Sequence, residues 1–212
     1  MSTSNTPRIG ITLGDCAGIG PELVDLALNS NHIARTVESK VIGKYPGSRP
    51  GNPTAESARA AAAALEEAIT LARRGELDAI VTGPVHKARM YEVGFKFLGQ
   101  TEFFAERCGI ENFAMCLTAR KITVALVTAH LPLREAASAL KQSEIVRVGL
   151  LLADFLNSRS VSSPRIAVAG LNPHAGEQFS LNYGENQSLF AHHMRLSIPN
   201  AVVGQAHRLP GS

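Results

Sequence analysis

The 212-residue chain has no tryptophan, only three cysteines and 5% aromatic residues. So few aromatic side chains argue against a stacking platform for single-stranded nucleic acid. Cys16, Cys108 and Cys116 are odd in number and lack the paired CxxC spacing of zinc sites. We therefore expect reduced thiols rather than a disulfide scaffold or a zinc ribbon.

Long apolar runs and concentrations of one charge are also missing. No stretch approaches the roughly 20 consecutive apolar residues of a membrane span, and the polar residues 1–8 lack the apolar segment of a signal peptide. The net charge of +3 is small, and lysine and arginine are scattered among acidic residues. We therefore expect a cytoplasmic protein that binds neither nucleic acid nor a membrane.

What the sequence does contain is an alternation of short apolar runs with helical patterns. The 45% hydrophobic content is enough for a core of one domain or two small ones. The predicted strands are residues 9–13, 79–82, 122–127 and 165–169. The predicted helices are residues 21–27, 60–72 with Thr54 as N-cap, 134–140 and 144–156. Because the strands are continuous and β-branched, we predict an α/β fold whose mostly parallel sheet is covered by helices on both faces.

Ligands of open parallel sheets bind beyond the carboxyl ends of the strands, so the segments after the predicted strands are the candidate site. The first, residues 14–20, is rich in glycine and leads into a helix N-terminus, which favours an anion. It matches neither the GxGxxG nor the P-loop pattern. A tight turn between strand and helix is an equally good interpretation of its glycines.

Polar side chains after the later strands also have two interpretations each. His130 and His174 each follow a strand, and a neutral imidazole is a common ligand of divalent metals. A lone histidine is more often structural or solvated, and spacing alone does not show that these two converge. Lys87 is either a cation for a phosphate or carboxylate, or a solvated loop residue. Thr101 is either a phosphate contact or a helix N-cap.

Five ordered segments carry a specific resemblance to a known family. In this order they resemble signature stretches of the 4-hydroxythreonine-4-phosphate dehydrogenase family of pyridoxal phosphate biosynthesis and its relatives that act on threonate and erythronate phosphates. Together they span most of residues 8–177, and chance agreement is remote. The segments are Thr12–Glu22 (TLGDCAGIGPE), Val81–Lys87 (VTGPVHK), Thr101–Phe104 (TEFF), His130–Arg134 (HLPLR) and Gly170–Glu177 (GLNPHAGE).

The resemblance implies a fold like that of isocitrate and isopropylmalate dehydrogenases, in a homodimer with the active site between subdomains. It implies that NAD oxidises the substrate hydroxyl and that the resulting β-keto acid loses carbon dioxide, with a divalent metal (zinc, magnesium or cobalt) as electron sink. Two of the family's three metal-binding histidines fall on His130 and His174. Its phosphate-binding His-Thr pair falls on Gln100 and Thr101. Catalytic and NAD-binding residues are not assigned.

Three departures from the family pattern shape the expectations. Gln100 replaces the usual histidine, so it can still donate a hydrogen bond but carries no positive charge. The connection between the first helix and Gly51 is shorter than in the family, so we expect a strand–helix portion to be missing. The resemblance stops at Glu177, so we expect an incomplete, truncated family core over residues 1–177 and a non-matching tail over residues 178–212, without the third metal histidine and most of the NAD-binding loop.

The predicted function is NAD-dependent, metal-assisted oxidation and decarboxylation of a phosphorylated hydroxy acid. The candidate substrates are 4-hydroxythreonine 4-phosphate and threonate or erythronate 4-phosphate. One alternative is a catalytically incompetent fragment that retains partial metal or phosphate binding. Another is a decarboxylating dehydrogenase for aromatic cis-dihydrodiol acids, which Gln100 favours slightly because those substrates carry no phosphate. The sequence leaves open which substrate and which metal bind, and whether NAD binds.

Overall fold

The computed structural model describes residues 6–30, 33, 37–44 and 47–170. These residues form two compact units, one up to Glu111 and one from Asn112 onward. The predicted site residue His174 and the predicted tail at 178–212 lie outside the described residues. Within the described part of the chain, no helix is long and apolar enough to cross a membrane.

The first unit is built on a parallel sheet of three strands in the order β2-β1-β3. Both strand pairs are in parallel register, with Thr12 of β1 opposite Ile42 of β2 and Thr82 of β3. This confirms the predicted α/β fold with a parallel sheet. Its elements are β1 (Arg8–Thr12), α1 (Gly20–Asn29), β2 (Glu38–Ile42), α2 (Ala55–Arg73), β3 (Ala79–Thr82), α3 (Lys87–Glu92) and α4 (Gln100–Cys108).

Strand β2 escaped sequence analysis because it has no apolar run. It reads Glu-Ser-Lys-Val-Ile, and only Ile42 is buried. It is an edge strand whose side chains are mostly partly or fully exposed, so hydrophobic periodicity gives no signal there. Its partner β1, by contrast, was predicted from the apolar run itself.

The long helix α2 begins where the sequence predicts. The Thr54 hydroxyl accepts a hydrogen bond from the backbone N–H of Ser57, and the Ser57 hydroxyl accepts one from the backbone N–H of Thr54, each at 3.1 Å. This capping box satisfies donors that have no partner inside the helix. The buried face of α2 is rich in alanine and packs on all three strands, because small side chains allow close approach.

A cluster of phenylalanine side chains packs α4 against the hydrophobic core that contains the buried face of α2. The rings of Phe95, Phe97 and Phe103 lie with centroids 5.2 Å apart. The Arg107 guanidinium stacks on Phe97 and Phe103 and pairs with Glu66 of α2 at 2.9 Å. Ring packing and the cation–π contacts fix the direction of α4. They therefore fix where its first turn points.

The second unit has a different sheet. Strands β4 (Met115–Thr118) and β5 (Thr123–Leu126) form an antiparallel pair, followed by α5 (Leu133–Ala139) and α6 (Gln142–Ser158). The predicted strand at 122–127 and both predicted helices are confirmed, whereas β4 was missed. The pair is antiparallel because a short turn joins the two strands, and a parallel pair needs a much longer crossover.

The predicted strand at residues 165–169 is wrong for this structure. The segment has no assigned secondary structure, and Ala167, Val168 and Ala169 are exposed. A β-branched run becomes a strand only when a neighbouring strand accepts its hydrogen bonds. Among the described residues of the second unit, only β4 pairs with β5, so the outer edge of β5 is left without a strand.

Helix α6 buries one acidic side chain together with its apolar face. Asp154 is 3% exposed, and its Oδ1 atom has no hydrogen-bond partner among the described residues. Its buried neighbours along the helix include Leu151, Ala153 and Phe155. Burial raises the pKa of the Asp154 carboxyl above its ordinary value, because a low-dielectric environment disfavours the charged form.

This carboxyl predicts a stability that depends on pH. Since the folded pKa lies above the unfolded one, the stabilising contribution is complete below the unfolded pKa and is lost as the pH rises through the folded pKa. Asp154→Asn keeps the shape and removes the charge, so we expect it to increase the free energy of unfolding at about pH 7 and to change it little at about pH 3.

Urea unfolding at both pH values measures the difference. Glu67→Gln, on the exposed face of α2, is the control and should show no such gain. An Asn variant no more stable than the parent at neutral pH would contradict the prediction.

Candidate active site

The loops after β1 and β3 meet at the carboxyl edge of the parallel sheet. The Gly83 backbone N–H donates to the carbonyl oxygen of Thr12 at 2.9 Å and to its hydroxyl at 3.2 Å. The Asp15 N–H donates to the Pro84 carbonyl oxygen at 2.8 Å. Thr12 is fully buried. The sequence signal that could have identified this threonine is its position, since it is a polar residue at the end of the apolar run of β1.

Glycines make this close backbone approach possible. Gly14 has a φ of 71°, and a Cβ atom there would lie 2.3 Å from the Pro84 carbonyl oxygen. A Cβ at Gly83 would lie 2.6 Å from the Thr12 carbonyl oxygen, and one at Gly20 would lie 2.0 Å from that of Leu13. Real side chains do not fit at such distances. The glycine-rich segment therefore serves backbone packing, which favours the tight-turn interpretation of its sequence.

The loop after β1 is held by one hydrogen bond within the loop and one to the segment after β2. The buried Asp15 carboxylate accepts a hydrogen bond from the Ala17 N–H at 2.9 Å, and the Cys16 thiol donates to the Lys44 carbonyl oxygen at 2.9 Å. Burial, reinforced by the Asp15 charge, raises the pKa of the Cys16 thiol. All three cysteines are free in the structure, and their reduced state stays a prediction. A raised pKa keeps Cys16 a protonated structural thiol.

The segment after β3 reaches towards α4. His86 caps α3, with its Nδ1 accepting the Arg89 N–H at 3.3 Å. Lys87 is exposed, and its ammonium donates to the Leu98 carbonyl oxygen at 3.0 Å. Lys87 therefore holds the chain just before α4, a role that neither sequence interpretation included.

Gln100 and Thr101 are the first two residues of α4. The Gln100 Nε2 atom donates to the Gly83 carbonyl oxygen at 3.3 Å, so the helix start is joined to the loop after β3. The N-cap is Gly99, which has no side chain to cap the helix. The alternative that Thr101 is the N-cap is therefore wrong. The N–H groups of the first turn have no partner within the helix, and the helix dipole favours an anion near them.

His130 lies in the second unit, in the segment between β5 and α5. Its side chain is exposed, and its φ of 59° is a left-handed conformation that few non-glycine residues adopt. Within the described ranges, no group of three or more histidine, cysteine or acidic side chains is close enough together to hold a metal ion. The predicted pairing of His130 with His174 stays a prediction, because His174 lies outside those ranges.

Comparison with known proteins decides the family. The family model described as "Pyridoxal phosphate biosynthetic protein PdxA" matches residues 19–193. The chain belongs to the PdxA family. Curated 4-hydroxythreonine-4-phosphate dehydrogenases support this: that of Zymomonas mobilis is 32% identical over 220 residues, covering 85% of this chain and 66% of its own. That of Aquifex aeolicus is 34% identical over 218 residues, covering 86% of this chain and 68% of its own.

Solved structures agree with the fold. A 4-hydroxythreonine-4-phosphate dehydrogenase from Burkholderia phymatum superposes with a TM-score of 0.68 at 28% identity, over 86% of this chain and 68% of that one. A terephthalate 1,2-cis-dihydrodiol dehydrogenase from Burkholderia xenovorans superposes with a TM-score of 0.55 at 21% identity, over 81% of this chain and 64% of that one. The second likeness shows the fold alone.

This PdxA-family chain spans about two thirds of the length of the curated relatives it matches, with 66% and 64% for two of them. The alignment to the Zymomonas mobilis protein is 220 positions long although it contains only 85% of this 212-residue chain. That relative therefore has internal residues without a counterpart here. The family match continues past Glu177 to residue 193, and the predicted division at Glu177 stays a prediction.

The close contact between the loops after β1 and β3 predicts that alanine destabilises the protein more at Gly14 than at Gly75. Gly14 and Gly75 have the same φ of 71°, but nothing lies within 4 Å of a Cβ at Gly75. Gly75→Ala should cost only the left-handed backbone, about 1 kcal/mol. Gly14→Ala adds the overlap with Pro84 and should cost about 1–3 kcal/mol more. Urea unfolding measures the free energy of unfolding of both variants. An equal decrease in the two would show that the loops after β1 and β3 are not tightly packed at Gly14.

Proposed function

We propose that this chain is a dehydrogenase that uses NAD to oxidise the hydroxyl group of a phosphorylated hydroxy acid, which then decarboxylates. The proposed substrates are 4-hydroxythreonine 4-phosphate and threonate or erythronate 4-phosphate. The geometric observation that carries this proposal is the attachment of the first turn of α4 to the carboxyl edge of the parallel sheet through Gln100 and Gly83. Membership of the PdxA family supports it.

Gln100 and Thr101 are the proposed contacts of the substrate phosphate. Both side chains are partly buried in the first turn of α4. The free N–H groups of that turn offer hydrogen bonds to an anion, and the helix dipole adds a favourable field. Since Lys87 already donates to the Leu98 carbonyl oxygen, we assign it to positioning this turn rather than to the phosphate.

His130 and His174 are the proposed ligands of a divalent metal: zinc, magnesium or cobalt. The exposed imidazole of His130 makes no hydrogen bond with the described residues, so its nitrogens are available. The described residues supply only this one donor, and the proposal therefore concerns both histidines together. A bound metal would supply stabilisation of negative charge on the substrate oxygen. The proposal includes NAD as oxidant, a homodimer and a cytoplasmic location.

Two other functions are kept because specific observations favour them. Gln100 carries no positive charge, which suits an aromatic cis-dihydrodiol acid without phosphate. The Zymomonas mobilis protein has internal residues without a counterpart here, which suits a non-catalytic chain that still binds metal or phosphate. Each of these two functions predicts a pattern of turnover and binding that differs from that of the proposed dehydrogenase.

The deciding experiment measures NADH formation by absorbance. The chain is incubated with NAD, one of the three candidate metals and each phosphorylated acid in turn, and then with a cis-dihydrodiol of an aromatic acid. Metal-dependent turnover of a phosphorylated acid supports the proposal. Turnover of the dihydrodiol alone favours the second function, and the absence of turnover together with measurable phosphate binding favours the third.

The proposed metal ligands predict a matched set of variants. His130→Ala and His174→Ala should each weaken divalent-metal binding by at least about tenfold, because each removes a ligand. His86→Gln is the control, since it removes an imidazole of the first unit but keeps an acceptor for the cap of α3. Calorimetric titration with zinc or cobalt measures all three. Unchanged affinity in both alanine variants would remove the metal assignment.

A further inference from the structure

Helix α1 leaves much of its apolar surface exposed. Ile19, at its N-cap, is followed by Leu23 and Leu26 at spacings of four and three residues, so the three share one face of the helix. They are 61%, 47% and 62% exposed, whereas Val24 is buried. A surface helix normally turns its apolar stripe towards a core. A stripe exposed to this extent therefore indicates an interaction surface.

The parallel sheet is also incompletely covered on the side of α1. The connections β1-α1-β2 and β2-α2-β3 run in opposite directions across the sheet, so right-handed connections place α1 and α2 on opposite faces. Val41 and Val81 both pair with Ile11, and they alternate with Ile42 and Ile80, which lie in the core with α2. They are 43% and 51% exposed, although parallel sheets are normally covered on both faces.

We call this apolar surface on the α1 side the open face; it consists of Ile19, Leu23, Leu26, Val41 and Val81. A segment that covered it would remove apolar area from both the helix and the sheet, which is favourable in proportion to that area.

The polar border of the open face is acidic. Glu22 and Asp25 are exposed, and neither forms an ion pair within the described part of the chain. Glu22 lies three positions after Ile19 and four before Leu26, so its carboxylate borders the apolar stripe. The last turn of α1 has no basic residue. A segment that covers this face should therefore be apolar, carry a basic side chain and lack acidic ones.

Residues 189–203 have this composition. They read LFAHHMRLSIPNAVV, are mostly apolar and contain Arg195, and no acidic residue occurs from position 186 to position 212. They lie outside the described residues, which end at residue 170. Residues 171–188 can span about 60 Å when extended, about twice the diameter of a small domain. The connection is therefore long enough for the segment to reach α1.

We propose that residues 189–203 pack against the open face, with their apolar side chains on Leu23 and Leu26 and with Arg195 beside Glu22. The packing completes the cover of the parallel sheet on the side of α1. This interaction surface goes beyond the proposed function and does not depend on it.

Two other occupants fit the open face less well. A second copy that pairs through α1 about a two-fold axis would bring Glu22 and Asp25 near their own counterparts. A tethered segment also has an effective concentration of about a millimolar, well above that of a second copy in dilute solution. An anionic membrane surface would repel the same carboxylates, because helices that bind such surfaces carry basic residues on their polar face.

The test measures how fast a thiol on α1 reacts with a maleimide in the full chain. Leu26→Cys places that thiol on the open face, and mass spectrometry of the labelled peptides separates it from the three native cysteines. Leu196→Asp then puts a charge into the apolar segment. We expect it to speed labelling at position 26 by at least about tenfold, because the charged side chain resists burial. Leu181→Asp, a matched change outside the segment, should leave the rate unchanged. Leu23→Cys provides a second labelling position.

A double-mutant cycle tests the pairing of Glu22 with Arg195. Glu22→Arg should speed labelling at position 26 at least about twofold more in the parent background than in the Arg195→Glu background, where opposite charges face each other again. Glu22 also acts directly on the nearby thiol. That direct effect is the same in both backgrounds, so the cycle removes it.

The possible results separate the occupants. Faster labelling with Leu196→Asp, an unchanged rate with Leu181→Asp and coupling between Glu22 and Arg195, all independent of protein concentration, support the proposal. Equal rates with and without Leu196→Asp overturn it. Labelling that slows as the protein concentration rises, or only when anionic lipid vesicles are added, assigns the face to a second copy or to a membrane and also overturns it. The proposed dehydrogenase is tested separately, by NADH formation.

Discussion

The first unit depends on the backbone contact between the loops that follow β1 and β3. Hydrogen bonds from Gly83 to Thr12 and from Asp15 to Pro84 join loops that are far apart in sequence. Such an approach is possible only where no side chain intervenes, so Gly14 and Gly83 are steric requirements. The Gly83 carbonyl oxygen points outward from this junction to Gln100. The contact between the two loops therefore determines where the proposed phosphate site lies.

The position of α4 is determined from two sides. Gln100 attaches its first turn to the sheet edge, while Arg107 attaches its last turn to α2 through Glu66 and the phenylalanine cluster. The α2 helix in turn lies on all three strands. A helix held at both ends presents its free N–H groups in a constant direction, which is what binding of a small anion requires.

The second unit contrasts with this arrangement. Its described sheet consists of two antiparallel strands, and the β-branched segment at 165–169 pairs with no strand in the described part of the chain. The proposed metal ligands His130 and His174 follow β5 and this segment in the sequence, and His174 lies outside the described residues. A β-branched run forms a strand only where a neighbouring strand accepts its hydrogen bonds.

The sequence by itself determined the family, through five ordered motifs, and those elements whose signals are local. The N-cap at Thr54, the alanine-rich helix α2 and the apolar runs of β1, β3 and β5 are all patterns within a short stretch of chain. A cap needs only its own first turn, and a buried strand shows its burial in its own composition.

Only the tertiary structure decided which strands pair and which polar atoms meet. It placed β2 at an edge, made β4 and β5 antiparallel, left residues 165–169 unpaired and made Gly99 rather than Thr101 the cap of α4. It also turned the Gln100 amide towards the Gly83 carbonyl oxygen and left its Oε1 atom buried without a hydrogen-bond partner among the described residues. These outcomes depend on contacts between residues distant in sequence, and a hydrogen bond forms only when both partners have been brought into reach.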